Sequence, residues 1–302
     1  MILIKCKLCS KILQNKKLID LVSAPFIVKQ FYSEEYEREY DVFVIQSNKI
    51  KIVLKKVIDQ NEINSYKLLD YFNDSIVPKI YFIEKEEDIT WIAMEYIEEK
   101  TSPLDKSSVI LLVKKLANLH SFYGNNDKGL SNIKQWEKRE DEKLDKLLDD
   151  DFPQHYINTI KKSQKILSNS KTTFTHGDLI PLNFVVSYDD DVKIIDWEAG
   201  RNSPYILDLG RLLGDFNKTK PWINKSWEND IINIYYDSIN QEIFNLTYER
   251  FLLEYECAKL NNYLDIVSAH KNRNWDRTKW YKLNLNQLII SIGKLENLLK
   301  TN

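Results

Sequence analysis

The chain has 302 residues, 43% of them apolar, and its 43 basic and 45 acidic residues leave a formal net charge of -2. A chain of this length can bury on the order of 75% of the surface its unfolded form exposes, in one large domain or two lobes. The balanced charge provides no field to draw in nucleic acid or an acidic membrane, so neither is expected as a partner.

The apolar start, residues 1–4, is soon interrupted by Lys5, Lys7 and Lys11, which makes a poor secretory leader. Apolar runs such as 109–113 fall far short of the ~20 residues that span a bilayer. A cytoplasmic location is therefore expected. The three cysteines are Cys6, Cys9 and Cys257, an odd number that argues against a disulfide framework. Cys6 and Cys9 form a single C-x-x-C without a second ligand pair, whereas a structural zinc site wants four ligands. Free thiols are the expectation.

The first 97 residues read as strand-rich. Segments 40–46 and 50–57 carry β-branched and aromatic residues, with Ser47-Asn48-Lys49 as a hairpin turn between them. Residues 59–72 repeat Ile63, Tyr66, Leu69 and Phe72 at helical spacing. Two more strands are expected at 79–84 and 89–96, around an acidic turn. The polar stretch 98–106 is the closest thing to a domain boundary, giving lobes 1–97 and 98–302.

The remainder is mainly helical. Segment 107–122 is amphipathic, with Ile110, Val113, Leu116, Ala117 and His120 on one face. Helices are expected at 135–148 and 156–167, then short strands at 172–175, 184–186 and 192–195. Four further helices follow, near 206–216, 222–239, 248–268 and 285–299. Strands first and helices after them make an α+β chain, with a small antiparallel-sheet lobe and a larger helical one.

The chemistry concentrates between Thr175 and Trp197. Asp178 and Asn183 lie in a loop punctuated by Gly177 and Pro181, and Asp196 closes an apolar strand. A loop followed by a hairpin can bring these three side chains together. Phosphoryl transfer uses such a set. One carboxylate takes the proton of the attacking hydroxyl, while a second carboxylate and an amide oxygen hold magnesium, a hard ion that prefers oxygen ligands.

The string His176-Gly177-Asp178-x-x-x-x-Asn183, followed thirteen residues later by Asp196-Trp197-Glu198, resembles the aminoglycoside phosphotransferase and choline kinase-like family. That family shares the bilobal protein kinase-like fold, whose catalytic loop reads H-R-D-x-x-x-x-N and whose metal aspartate opens D-F-G. Gly177 in place of the kinase arginine, and Trp197-Glu198 in place of Phe-Gly, point to small-molecule acceptors over proteins. The resemblance implies that Asp178 is the catalytic base and that His176 shapes its loop. It implies that Asn183 and Asp196 are metal ligands, and that Asp208 braces the loop through backbone hydrogen bonds. A local alternative for Asp208 is a helix-start carboxylate facing the macrodipole.

Other positions follow the same resemblance. Lys55, in Ile52-Val53-Leu54-Lys55, matches the strand lysine that binds nucleotide phosphates. Its neighbour Lys56 would face the other way. Glu62 either pairs with Lys55 or closes a capping box begun at Asp59. Met94-Glu95-Tyr96-Ile97 matches the hinge whose backbone binds the purine ring. His120 reads as a core histidine.

One feature departs from protein kinases. The first glycine of the chain is Gly124, so the expected phosphate cover near residues 31–38 has none, and it carries three glutamates. The reading is a phosphotransferase using ATP or GTP with Mg2+ on a hydroxyl of a small, cationic acceptor. Glu254, Glu256 and Asp265 would attract a polyamine, or Trp275, Trp280 and Tyr281 would stack on a quaternary ammonium. The alternative is a non-catalytic, kinase-shaped nucleotide-binding or scaffold protein.

Overall fold

A computed structural model describes residues 2–5, 11–34, 37–72, 76–100, 104–140, 142, 144, 152–214, 223–273 and 278–301. Cys6, Cys9 and Trp275 lie outside them. The chain divides into two compact units: Met1–Thr101 with Val185–Glu198, and Ser102–Phe184 with Ala199–Asn302.

The first unit is built on six antiparallel strands in the order β1-β2-β3-β4-β6-β5. They are β1 (Ile2–Lys5), β2 (Phe26–Ser33), β3 (Arg38–Ser47), β4 (Lys51–Val57), β5 (Ile80–Glu86) and β6 (Ile89–Glu95). The β3–β4 turn forms where expected, because the Ser47 hydroxyl accepts from the Lys49 and Ile50 amides at 3.1 and 3.2 Å. Alternate residues Phe43, Ile45, Ile52, Leu54, Trp91 and Ala93 share one apolar face with Leu18 and Val22. Those last two belong to α1 (Lys16–Val22), capped by Asn15, which accepts from the Lys17 amide at 2.9 Å. Helix α2 (Gln60–Leu69) buries Ile63, Tyr66 and Leu69. The hairpin of β9 (Phe184–Val186) and β10 (Val192–Ile194) joins this unit, where the Ile194 amide donates to the Ile76 carbonyl at 2.7 Å.

The second unit holds a three-stranded sheet in the order β7-β11-β8, namely Lys134–Gln135, Arg201–Pro204 and Thr172–Thr175. Its helices are α3 (Lys106–Asn125), α4 (Gln154–Ser168), α5 (Leu207–Gly214), α6 (Glu228–Ser238), α7 (Gln241–Phe244), α8 (Tyr248–Asn272) and α9 (Lys279–Thr301). Helix α8 packs against α4, α5 and α9. The α5–α8 approach is close: a Cβ on Gly210 would lie 2.6 Å from the Ala258 Cβ.

The helix expected over 135–148 does not begin there. Lys134–Gln135 pairs in parallel with β11, and the Trp136 amide donates to the Asn202 carbonyl at 2.9 Å. Backbone groups committed to a strand cannot also form the first helical turn. Most of 141–151 lies outside the described residues. The helix expected from 222 starts instead at Glu228, after a 3-10 turn over Lys225–Trp227. Among the described residues, no helix is long and apolar enough to cross a membrane.

Candidate active site

In the first unit, the pleat of β4 decides between the two adjacent lysines. Lys56 lies toward Asp41, with the Nζ 3.5 Å from its carboxylate. Lys55 faces α2, and its Nζ donates to Glu62 Oε1 at 2.6 Å and to Asp196 Oδ1 at 2.7 Å. Burial alone would lower the Lys55 pKa. Tyr66 and the carboxylates of Asp196 and Glu62 outweigh it and raise the pKa, so the ammonium stays charged. Glu62 is thus the partner of Lys55, while Asp59 caps α2 through the Asn61 amide at 2.8 Å.

Asp196 follows β10 with φ +62°, a left-handed conformation that aspartate tolerates. Below it, Tyr66 is buried against the Trp197 backbone amide, and burial raises its phenol pKa. The Asn61 amide donates to the Glu198 carbonyl at 3.0 Å, which ties the start of α2 to the Asp196 segment. Along β6, Met94 is buried and the Glu95 amide donates to the Lys79 carbonyl at 2.8 Å. Tyr96 and Ile97 have left the sheet, so their backbone lies outside its ladders. The Tyr96 ring lies under the Lys51 ammonium, 3.6 Å from the ring centroid.

In the second unit, β8 delivers the loop that starts at His176. Asp208, at the start of α5, is buried and accepts from the His176 amide at 2.7 Å and the Gly177 amide at 2.9 Å. Its Oδ2 also lies 3.3 Å from His120 Nε2, and His120 Nδ1 lies 2.6 Å from the Tyr235 hydroxyl. Burial alone would raise the Asp208 pKa. The His120 hydrogen bond, the two imidazoles and the His176 amide outweigh it and lower the pKa. Asp208 therefore braces the loop, and His120 joins that brace as a buried core residue.

The loop turns on Gly177, whose φ is +80°. Arg201 Nη2 donates to the Gly177 carbonyl at 2.9 Å. The Asp178 amide donates to His176 Nδ1 at 3.3 Å, so the buried histidine shapes the loop from inside. Asn183 Nδ2 donates to the Asp178 carbonyl at 2.9 Å, which orients the amide and leaves its oxygen as the group able to meet a cation. Asp178 is part-exposed, and its Oδ1 accepts from Arg211 Nε at 2.9 Å. Sequence reasoning missed Arg211. Its available signal was the spacing, since Arg211 lies three residues beyond Asp208 and therefore on a neighbouring part of the same helical face.

A cleft of about 310 Å3 opens beside Asp178 within the second unit. Of the residues expected to bind a cationic acceptor, Asp265 lines it. Glu254 is instead buried, accepting from the Tyr205 hydroxyl at 2.8 Å and Arg250 Nε at 3.0 Å. Tyr281 is buried and Trp280 is exposed, and neither lines the cleft. Cys257 is a buried free thiol whose pKa is pushed up by burial, so it makes a poor nucleophile.

Among the described residues, no group of three or more His, Cys, Asp or Glu side chains could hold a metal ion. The donors suggested for a hard cation are of the right chemistry all the same. Asp196 is a half-exposed carboxylate with one oxygen on Lys55, and Asn183 keeps an oriented amide oxygen.

A strand lysine ion-paired to a helix glutamate, and an H-G-D loop held by a buried aspartate, define a phosphotransferase of kinase-like fold. The family comparison agrees: the phosphotransferase enzyme family model (APH) matches residues 32–237, more than half of the chain, and the protein belongs to that family. Solved structures share the bilobal kinase-like fold at low identity. The choline kinase LicA from Streptococcus pneumoniae is 17% identical, with 94% of this chain and 98% of that one covered and a TM-score of 0.56. An aminoglycoside phosphotransferase from Alicyclobacillus acidocaldarius subsp. acidocaldarius DSM 446 is 12% identical, covering 94% and 96%, with a TM-score of 0.58. The ethanolamine kinase Pv091845 of Plasmodium vivax is 13% identical, covering 90% and 84%, with a TM-score of 0.57. Comparison with curated protein sequences finds no match.

Proposed function

We propose that this protein transfers the γ-phosphoryl group of ATP or GTP to a hydroxyl of a small molecule. The observation that carries the reading is Lys55 Nζ held at 2.6 and 2.7 Å by Glu62 and Asp196, a charged lysine fixed for phosphate binding. Catalysis of this reaction is mostly positioning and charge stabilisation, because the transferred group passes through a loose transition state.

In this account Lys55 binds the nucleotide phosphates, with Glu62 orienting it. The hinge Met94, Glu95, Tyr96 and Ile97 supplies backbone groups to the purine. Asp178 accepts the proton of the attacking hydroxyl as the oxygen approaches phosphorus in line with the departing diphosphate. Arg211 fixes the direction of the Asp178 carboxylate, and Asp208 with His176 keeps the loop in shape. Asn183 and Asp196 would hold Mg2+, which when bound neutralises the phosphate charge. The phosphate cover is expected near residues 31–38, a stretch that takes in the end of β2 and the start of β3. Its lack of glycine is the observation that favours the second reading, a kinase-shaped nucleotide-binding or scaffold protein without catalysis.

Thermal unfolding with ATP or GTP separates these readings from a protein that binds no nucleotide. Nucleotide at about 100 times its Kd stabilises by about 2.7 kcal/mol. We expect that gain to need magnesium and to vanish in Asp196→Ala. If neither nucleotide stabilises the wild-type chain with magnesium present, the phosphotransferase reading fails and only a scaffold without nucleotide is left.

A further inference from the structure

The ion pair between Arg211 and Asp178 would be weak on its own. The two side chains are 26% and 44% exposed, and a long side chain in a half-exposed pair exchanges readily with water. A second contact changes this. While Arg211 Nε donates to Asp178 Oδ1 at 2.9 Å, its Nη1 donates to Asn262 Oδ1 at 3.0 Å. Asn262 is 5% exposed. One guanidinium is thus held at two points, by the carboxylate at the cleft and by a buried amide.

The close approach of α5 and α8 puts Asn262 in this place. Gly210 and Gly214 lie one helical turn apart on α5, against Ala258 and Asn262, one turn apart on α8. A Cβ on Gly214 would lie 2.9 Å from Asn262 Nδ2. The amide has one useful orientation there. A guanidinium offers donors alone, so Oδ1 must face Arg211 and Nδ2 is turned to Gly214. Among the described residues Nδ2 has no hydrogen-bond partner, and an unmet buried donor costs stability. An apolar side chain of the same shape would avoid that cost, but it would leave Arg211 with its single, half-exposed contact.

We infer that Asn262 is a positioning residue of the reaction, acting through Arg211 to aim the Asp178 carboxylate. With Nη1 anchored on the buried amide, Nε stays on Asp178 Oδ1. The other Asp178 oxygen is then left to meet the attacking hydroxyl. The role of Asp178 rests on the phosphotransferase reading. The hold of Asn262 on Arg211 does not, and it can be followed without turnover. A residue kept only for packing would lose stability and activity together when replaced. A positioning residue that carries an unmet buried donor separates them: replacement by an apolar residue of like shape lowers activity and leaves stability equal or greater.

The test is the Nε–H signal of Arg211 in 1H–15N NMR spectra of the full chain, identified by its absence in Arg211→Leu and compared between wild type and Asn262→Leu. We expect that proton to exchange with water about ten-fold faster in Asn262→Leu, the factor that one hydrogen bond to a charged group is worth. We expect the Tm of the variant to equal or exceed that of wild type. Unchanged exchange overturns the inference. So does a lower Tm or a variant that does not fold, because the amide would then be there for structure. Turnover gives an independent reading. With an acceptor that wild type phosphorylates, we expect Asn262→Leu to lower kcat about ten-fold and leave the nucleotide KM unchanged. In an Arg211→Leu background the same substitution should lower kcat no further. An undiminished kcat, or equal losses in the two backgrounds, overturns the inference. Absence of transfer by wild type to any acceptor would sink the phosphotransferase reading, and the exchange measurement would still decide whether Asn262 holds Arg211.

Discussion

Asp208→Asn is expected to be the most destabilising single change in the second unit. The native carboxylate is buried and accepts from two backbone amides, at 2.7 and 2.9 Å, with His120 at 3.3 Å. An asparagine keeps one acceptor oxygen and turns an NH2 toward groups that also donate. Breaking a buried, hydrogen-bonded charge in this way costs about 3–5 kcal/mol, or about 6–20 °C in Tm for a domain of this size. The pH dependence has a definite sign. The Asp208 pKa is lowered from the ordinary 3.8, so its contribution is complete above that value and is lost as pH falls through the lower, folded-state value. The gap in Tm between wild type and Asp208→Asn should therefore be widest near neutral pH and close in acid below 3.8. A gap that stays constant down to acid unfolding would contradict the assignment of the charge to Asp208.

Gly177→Ala is expected to remove activity with a smaller loss of stability. A left-handed φ of +80° costs an L-residue roughly 1–2 kcal/mol. A Cβ at this position would also lie 2.2 Å from the Ala199 carbonyl oxygen, too close for any real contact. The loop must shift, and with it the next residue, Asp178. Displacing a reacting group by about 1 Å can reduce turnover on the order of 100-fold. We expect phosphotransfer to fall at least that far while magnesium-dependent nucleotide stabilisation persists. Wild-type turnover in Gly177→Ala would mean that the loop geometry does not matter to the reaction. The same contact gives a local reason for the H-G-D form, because no larger residue fits between His176 and Asp178.

Much of this was legible because the chemistry is local. His176, Gly177, Asp178 and Asn183 fall within eight consecutive residues, and their spacing survives in sequence. The antiparallel first unit and most of the helices of the second followed from their periodicity. Where local signals competed, long-range pairing won. The charged stretch after Lys134 has good helix formers, yet β11 takes Lys134 and Gln135 into a strand. Glu62 was open to two readings, and Lys55, seven residues earlier, claimed it. Strands β1 and β2 and helix α1 gave weak signals, and α1 is only seven residues long. Roles that depend on distant partners were hidden. His120 reads as an ordinary apolar-face residue until Asp208 and Tyr235 meet it. The acidic residues expected to attract a cation could not be judged without their partners. Glu254 is held by Tyr205 and Arg250, and Asp265 by Arg139.

The central claim is phosphoryl transfer guided by Asp178. Its most direct test follows the γ-phosphate of ATP and of GTP onto a panel of hydroxyl acceptors, comparing wild type with Asp178→Ala. The account predicts transfer by wild type to at least one acceptor. It predicts loss of that transfer in Asp178→Ala, with nucleotide binding retained. Unchanged transfer by Asp178→Ala would contradict the account.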